Sequence, residues 1–191
     1  MFDIFTHFEK FQHLNPEEKA ALQAICTPIH IEKNELLQPI GFTCKTIYFI
    51  NAGLARIFYY KDGNDITEYF AFEGNFIARV ESLFTGQPSQ KAIQILEDSD
   101  ITAIDATALF KLYETHHNIE RLFRFIMEAG YVDTVKRLES IQFHSAEERY
   151  IHLLKTPNML QRIPLKHIAS YLGITQVSLS RIRATLKQHK R

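Results

Sequence analysis

The sequence contains no tryptophan, two cysteines, three methionines, six prolines and seven glycines in 191 residues. Two thiols, Cys26 and Cys44, make neither a disulfide framework nor a tetrahedral thiolate site, and no C-x-x-C flanks them, so they read as free thiols. So few glycines leave little material for phosphate-cradling loops. No P-loop, nucleophile elbow or H-E-x-x-H occurs, and a non-enzymatic chain is expected. No apolar run approaches the roughly 18 residues a membrane span needs. The N-terminal "MFDIFTHFEKFQHL" has neither a basic start nor a small-residue cleavage site, so a cytoplasmic protein without membrane contact is expected. The last absence is the most informative: no acidic residue follows Glu148.

The chain carries 22 Lys+Arg and 22 Asp+Glu, yet its charge is separated along the sequence. From Arg149 onward there are nine basic residues and no acidic one, which leaves 13 basic and 22 acidic residues in the first 148. A neutral total hides a dipolar molecule with a basic C-terminal end, the electrostatic footprint expected of a nucleic-acid-binding domain.

Within that end, "PLKHIASYLGITQVSLSRIRATLKQHKR" (164–191) predicts two short helices hinged at Gly173. The apolar positions Leu165, Ile168, Ala169, Leu172, Ile174, Leu179, Ile182 and Leu186 change phase at Gly173, where one helix stops and another begins. Ala169 is small where the helices cross, Gly173 can take the left-handed conformation, and Thr175 can cap the second helix. Ile168, Leu172, Leu179 and Ile182 would form the shared core. This is the pattern of a helix-turn-helix DNA reader, although an ordinary helical hairpin has the same periodicity. On the reader assignment, Gln176 and Arg181 face base edges and Val177 a thymine methyl. Thr175, Ser178, Ser180, Arg183, Lys187 and, beside the first helix, Lys166 then face phosphates.

Upstream, Phe2, Phe5, Phe8 and Phe11 predict a short helix with an aromatic stripe, and Asn15 followed by Pro16, Glu17 and Glu18 predicts a capped helix to about Cys26. From Pro28 to Asp105 short Ile-, Phe-, Tyr- and Thr-rich runs alternate with turn signals at Asn51 to Gly53, Asp62 to Asn64, Glu73 to Asn75 and Glu97 to Asp100. Roughly eight strands without helical crossovers imply a small antiparallel barrel or jelly roll. Phe76 to Gln90 is too long for a hairpin and is placed where a ligand loop would sit.

Thr107 to Glu114 reads as helical, and Asn118 opens a longer helix reaching Phe143. Its first half is apolar nearly all round (Ile119, Leu122, Phe123, Phe125, Ile126, Met127, Ala129), and Val132, Val135, Leu138 and Ile141 continue an apolar seam. One face can rest on the barrel; the other predicts a second copy across a two-fold axis, a single buried helix being the alternative. Ser145 to Glu148 starts a further helix toward Pro157. Thr156 to Ile163 is read as a linker in which "QRIP" adds one short strand.

A barrel, a long interfacial helix and a C-terminal helix-turn-helix, in that order, resemble the cyclic-AMP receptor protein and fumarate-nitrate regulator (Crp/Fnr) family of bacterial transcription factors. "IPLKHIASYLGITQVSLSRIR" and "EGNFIARVESLFTGQPSQKAIQILEDSDITAID" carry the resemblance. It implies an α+β fold: an N-terminal antiparallel β-roll, cyclic-nucleotide-binding-like sensor domain over residues 1–115, a dimerisation helix over 116–143 and a helix-turn-helix domain over 144–191. It also implies an effector pocket at Gly74, Phe76, Arg79, Glu81, Ser82, Gln90 and Lys91. The implied partners are a palindromic operator in double-stranded DNA, a second copy of the chain and RNA polymerase.

Two departures narrow that implication. Arg79 falls where the family's cyclic-nucleotide binders carry a glutamate, and Gln90 and Lys91 fall where they carry the Arg-Ser pair for the cyclic phosphate. Cyclic AMP is therefore not expected, and Arg79 with Lys91 forms either a site for another anion or a degenerate pocket with solvated charges. Two cysteines cannot ligate an iron–sulfur cluster that needs four, and no cofactor is assigned. Haem stays open on a count of nine histidines, although the adjacent His116 and His117 read as surface. The family's β-hairpin wing does not follow the recognition helix in this sequence, so its phosphate contacts would fall to Lys187, Lys190 and Arg191. The rival readings are a cupin-like barrel, for which the strand region offers only His30 as an imidazole ligand, and a protein-binding module using the long helix.

Overall fold

The computed structural model describes residues 2–155 and 157–188, side chains excepted at 157–159, 187 and 188. Two short helices, α1 (Ile4–Phe8) and α2 (Pro16–Ala24), precede the strands. The second begins as its sequence requires. The Asn15 side chain accepts from the Glu18 amide while the Glu18 side chain accepts from the Asn15 amide, a reciprocal cap with proline in the first turn. It ends at Ala24, two residues short of the expectation, because Cys26 already belongs to the sheet.

Among the described residues six strands form one antiparallel sheet: β1 (Cys26–Ile31), β2 (Leu36–Gln38), β3 (Thr46–Lys61), β4 (Asn64–Ala71), β5 (Phe76–Ile77) and β6 (Ala92–Asp105). The order is β1-β6-β3-β4, with β2 paired to β6 and β5 to β3. Six replace the expected eight because β3 and β6 run straight through two of the four turn signals. Asn51 to Gly53 and Glu97 to Asp100 are bulges in one continuous ladder, where the β3–β6 register shifts between Ile50 and Ala55. Gly53 sits there at φ +111°, and a Cβ on it would lie 2.0 Å from Ser99 Oγ, so glycine serves backbone approach at this point and not a hairpin. The other two signals do turn the chain. Asp62 and Gly63, at φ 51° and 77°, form the two-residue connection between Lys61 and its partner Asn64, and Glu73 to Asn75 separates β4 from β5.

Tyr48, Ile50, Ala55, Ile57, Ile77, Ile93, Ile95 and Ile101 make one buried cluster drawn from both ends of the long strands, so the sheet rolls around it. Each fully buried side chain of this size contributes about 1.5–3 kcal/mol. The segment between β5 and β6 holds helix α3 (Val80–Thr85), and α4 (Ala106–Tyr113) follows β6, capped by Asp105 accepting from the Ala108 amide at 2.7 Å.

Helix α5 (His117–Phe143) is the 27-residue spine of the molecule. Ile119, Leu122 and Phe123 bury against α1, α2 and α4, whereas Tyr131, Val132, Leu138, Ile141 and Phe143 are exposed. Among the described residues four further helices follow: α6 (Ala146–Leu153), α7 (Pro157–Arg162), α8 (Leu165–Tyr171) and α9 (Gln176–Gln188). Helix α7 corrects the expectation of a linker with a strand at "QRIP": Gln161 and Arg162 close a helix, and Ile163 is buried. No helix among the described residues is long and apolar enough to cross a membrane.

Candidate functional site

The two C-terminal helices meet as their apolar phase predicts. Ile168, Ala169, Leu172 and Leu179 are buried, Ile182 is half-buried against them, and Gly173 takes φ +70° between the helices. The Ser178 amide donates to Thr175 Oγ1 at 3.1 Å, so Thr175 caps the start of α9. The Ser178 hydroxyl lies 3.0 Å from that same oxygen and is half-buried, which makes it part of the cap. Gln176, Val177, Ser180, Arg181 and Arg183 are exposed along α9, and Lys166 is exposed on α8. No carboxylate among the described residues pairs with Arg181, Arg183 or Lys166. Lys187 lies in α9, but its side chain, and Lys190 and Arg191 altogether, fall outside the described residues.

This unit does not hang from the spine. It is seated on the outer face of the sheet, where Leu54, Phe70 and Leu96 join Tyr150, Ile163, Ile168 and Leu172 in one buried cluster. Polar contacts frame the seat. The buried Arg56 of β3 donates to Asp65 through both terminal nitrogens at 2.5 and 2.7 Å, to Gln94, and to Thr67, and its Nη1 lies 2.9 Å from His167 Nδ1. Burial and then the adjacent Arg56 push the His167 imidazole down to about 4. Burial alone would raise the Asp65 carboxyl, but Arg56 outweighs it and leaves Asp65 below its ordinary range.

Arg162 forms the second frame. It donates to both oxygens of Glu73, to Glu97 and to the Gly53 carbonyl, directly over the bulge. Its hydrogen bonds lower the Glu73 carboxyl to about 2. At the other end, Arg137 Nη2 donates to the Tyr171 carbonyl at 2.5 Å and Arg149 Nη2 to the Leu172 carbonyl at 2.7 Å, two cations on the C-terminus of α8. Of the basic residues that set the C-terminal charge, Arg149 and Arg162 are thus committed to internal carbonyls and carboxylates.

The residues expected to form one effector pocket divide into three places. Gly74 turns the chain at φ +80° beneath Phe2, and Phe76 packs among Phe8, Phe49 and His7; both belong to the aromatic packing under α1. Ser82 is buried on α3, accepting from the Cys44 amide and donating to the Gln87 carbonyl, while Glu81 and Gln90 are exposed. Arg79 and Lys91 do come together, through a residue not anticipated: the Glu68 carboxylate of β4 pairs with Lys91 through one oxygen and lies 3.7 Å from Arg79 Nη1 through the other. Ser89 is the second unanticipated member, buried and accepting from Arg79 Nε at 3.3 Å. No periodicity marks Glu68, because it is supplied by a strand distant from the loop. Ser89 stands one residue before Gln90, within the error of aligning an ungapped loop.

Two surface hollows, of about 530 Å³ beside α5 and about 380 Å³ near Cys44 and Phe110, contain neither Arg79 nor Lys91. His30 pairs with Asp100 at 2.8 Å on the exposed side of the sheet.

Comparison with known proteins agrees with this architecture. Residues 28–116 match the cyclic nucleotide-binding domain family. Among solved structures, the chain is similar to FixK2 from Bradyrhizobium japonicum, at 16% identity over 87% of this chain and 86% of that one, with a TM-score of 0.75. It is similar also to a putative transcriptional regulator of the Crp/Fnr family from Eubacterium rectale, at 18% identity over 98% and 88% of the two chains and a TM-score of 0.73. A third similar structure is CLP from Xanthomonas campestris, a c-di-GMP responsive global regulator, at 13% identity over 92% and 93% with a TM-score of 0.70. No curated protein matches the sequence. The chain therefore has the Crp/Fnr fold, with a cyclic-nucleotide-binding-type β domain followed by a long helix and further helices.

Proposed function

We propose that the chain is a homodimeric, sequence-specific DNA-binding transcriptional regulator, not an enzyme, acting in the cytoplasm and sensing an effector other than cyclic AMP. The observation that carries it is α9: a capped helix presenting Gln176, Val177, Arg181 and Arg183 to solvent without ion-pair partners among the described residues, in a segment with no acidic residue. A helix of that kind fits a major groove, with bidentate Arg181 suited to guanine and Gln176 to adenine. Lys166, Thr175, Ser180 and Arg183 flank those positions and suit phosphates; Ser178 supports the helix start.

Homodimer formation is supported by α5, along which the apolar side chains of Tyr131, Val132, Leu138, Ile141 and Phe143 are exposed to water that solvates them poorly. Two copies on a two-fold axis give a palindromic operator, and RNA polymerase is the partner such a regulator would recruit or block. The sensor reading is supported by the Arg79, Lys91, Ser89 and Glu68 group; an arginine in place of the ribose-binding glutamate disfavours a cyclic nucleotide. Selection of duplexes from a random pool by the purified chain tests the function. Recovery of a two-fold symmetric sequence is expected, and no enrichment over the starting pool would reject it.

A further inference from the structure

Two residues, His144 and Ser145, are all that separate α5 from α6, and a connection that short and extended would by itself let the reader swing on the spine. Two arginines close it. Arg149 of α6 folds back across the connection, Nη1 donating to the His144 carbonyl at 2.5 Å and Nη2 to the Leu172 carbonyl at 2.7 Å. Arg137 of α5 reaches the same turn of α8 from the spine, Nη2 donating to the Tyr171 carbonyl at 2.5 Å. Tyr171 and Leu172 end α8, where carbonyls have no helical amide four residues on, so the two cations supply partners that the helix itself cannot.

Arg137 does more than cap α8. Ile57 pairs with Tyr69 and Phe58 with Thr67, so Glu68 is the extra residue of a bulge in β4, and its carbonyl accepts from Arg137 Nε at 3.3 Å. The Arg137 guanidinium also lies 3.5 Å from the Tyr171 ring centroid, and that ring packs at 5.1 Å on the Phe70 ring of β4. From the sheet, the Thr67 amide donates to Ser170 Oγ at 3.1 Å and holds the same turn. One side chain of the spine thus touches the sheet, the end of α8 and the aromatic layer between them. Apolar burial is non-directional and tolerates sliding, whereas a planar guanidinium bonded to carbonyls of two different elements fixes both distance and angle. Because α8 and α9 share the buried Ile168, Leu172 and Leu179, whatever fixes the end of α8 against α5 fixes α9 as well.

We propose that Arg137 is a positioning residue for operator spacing: it fixes α9 against α5, so that the distance between half-sites is selected by a side chain whose hydrogen bonds go to protein carbonyls. This rests on the DNA-reader and second-copy readings above. One added base pair moves a half-site by roughly 3.4 Å and turns it by roughly 35°. A clamped pair of readers cannot follow that displacement without giving up contacts on one side; a pair released from the spine can.

The palindrome recovered by selection is remade with its half-sites one and two base pairs closer or farther apart and titrated with the full chain, beside a duplex carrying a single half-site. The wild-type chain is expected to lose about tenfold in affinity at each altered spacing. Arg137→Met, which keeps an apolar stem beside Tyr171 and removes the donors, is expected to lose less than about threefold across the series while keeping the base preferences within each half-site. Should Arg137→Met fail to fold, Arg137→Lys, with the charge but not the fork, should broaden the spacing by a smaller amount. Orientation is read without DNA from paramagnetic distances between labels at Glu139→Cys on α5 and Ser180→Cys on α9, both exposed positions. The labelled chain carries Cys26→Ala and Cys44→Ala and is diluted into unlabelled chain, so that only pairs within one chain are read. A narrow distribution is expected with Arg137 and a broad one with Arg137→Met. An unchanged distribution in the variant, an unchanged spacing penalty, or equal losses at every spacing and on the single half-site would overturn the proposal. The two measurements separate the readings: a wild-type chain that recovers no sequence rejects the DNA reader while the distances still judge the clamp, whereas unchanged distances beside a recovered palindrome reject this inference alone.

Discussion

Arg162 and Glu73 form a two-pronged ion pair, Nη2 to Oε1 at 2.6 Å and Nη1 to Oε2 at 3.0 Å, that ties helix α7 to the turn after β4 across 89 residues of chain. Glu97 approaches the same guanidinium from β6, so removing Arg162 leaves two carboxylates facing each other beside a bulged backbone. Arg162→Ala is expected to lower unfolding free energy by about 2–3 kcal/mol, since breaking a partly buried network costs more than a surface pair. Urea melts check it; a loss within about 0.5 kcal/mol would show the clamp to be decorative.

Acid should loosen the seat of the reader in two stages. The His167 folded value of about 4 lies below its ordinary 6.5, so the unfolded chain binds the proton more readily and stability falls as pH drops from 6.5 toward 4. Glu73, at about 2 against an ordinary 4.5, adds a loss as pH drops from 4.5 toward 2. His167→Asn should flatten the upper stage and Glu73→Gln the lower one. Stability measured against pH that keeps both slopes in the variants would contradict this assignment.

Gly53→Ala places a methyl on Ser99 at a backbone angle that L-residues avoid. The expected cost is about 3 kcal/mol or more, from clash and strain together. Adding Ser99→Gly should restore part of it, because Ser99 Oγ and Cβ are two of the three atoms met while the backbone Cα, at 2.8 Å, remains; equal melts for the single and double variants would argue against a steric cause.

On DNA, Arg181→Ala is expected to relax preference at one position of each half-site, at about 1–3 kcal/mol of discrimination. Arg183→Ala should weaken all duplexes alike and reduce the salt slope by about one unit. Identical losses from both variants on selected and random duplex would remove the distinction between base and phosphate contact.

Leu138→Glu at an exposed apolar position of α5 should convert a dimer to a monomer in light scattering while leaving the circular dichroism of the chain unchanged. A wild-type chain that is already monomeric at tens of micromolar would displace the second copy as the partner of this face.

Local pattern sufficed for the capped helices but not for α3 and α7, which lie in segments read as a loop and a linker. Asn15 and Ser145 each form a reciprocal cap, Gly173 breaks the reader at φ +70°, and Thr175 starts α9, all within a few residues of the atoms they serve. The Asp62 and Gly63 hairpin was legible for the same reason. Asn51 to Gly53 was not, because a left-handed glycine marks either a turn or a bulge, and only the ladder to β6 distinguishes them.

Charge separation, the apolar phase of the capped helices and the coarse order of sheet, long helix and C-terminal helix pair thus follow from the amino-acid sequence, where the signals are local or compositional. What folding alone decided is which distant groups share a charge. Glu68 became the partner of Arg79 and Lys91 because a bulge turned it there, and Arg149 and Arg162 left the pool of free C-terminal cations because α8 and the sheet brought acceptors to them. Such pairings cross 11 to 89 residues of chain, and no periodicity encodes a contact whose geometry exists only after the sheet has rolled and the C-terminal helices have docked on it.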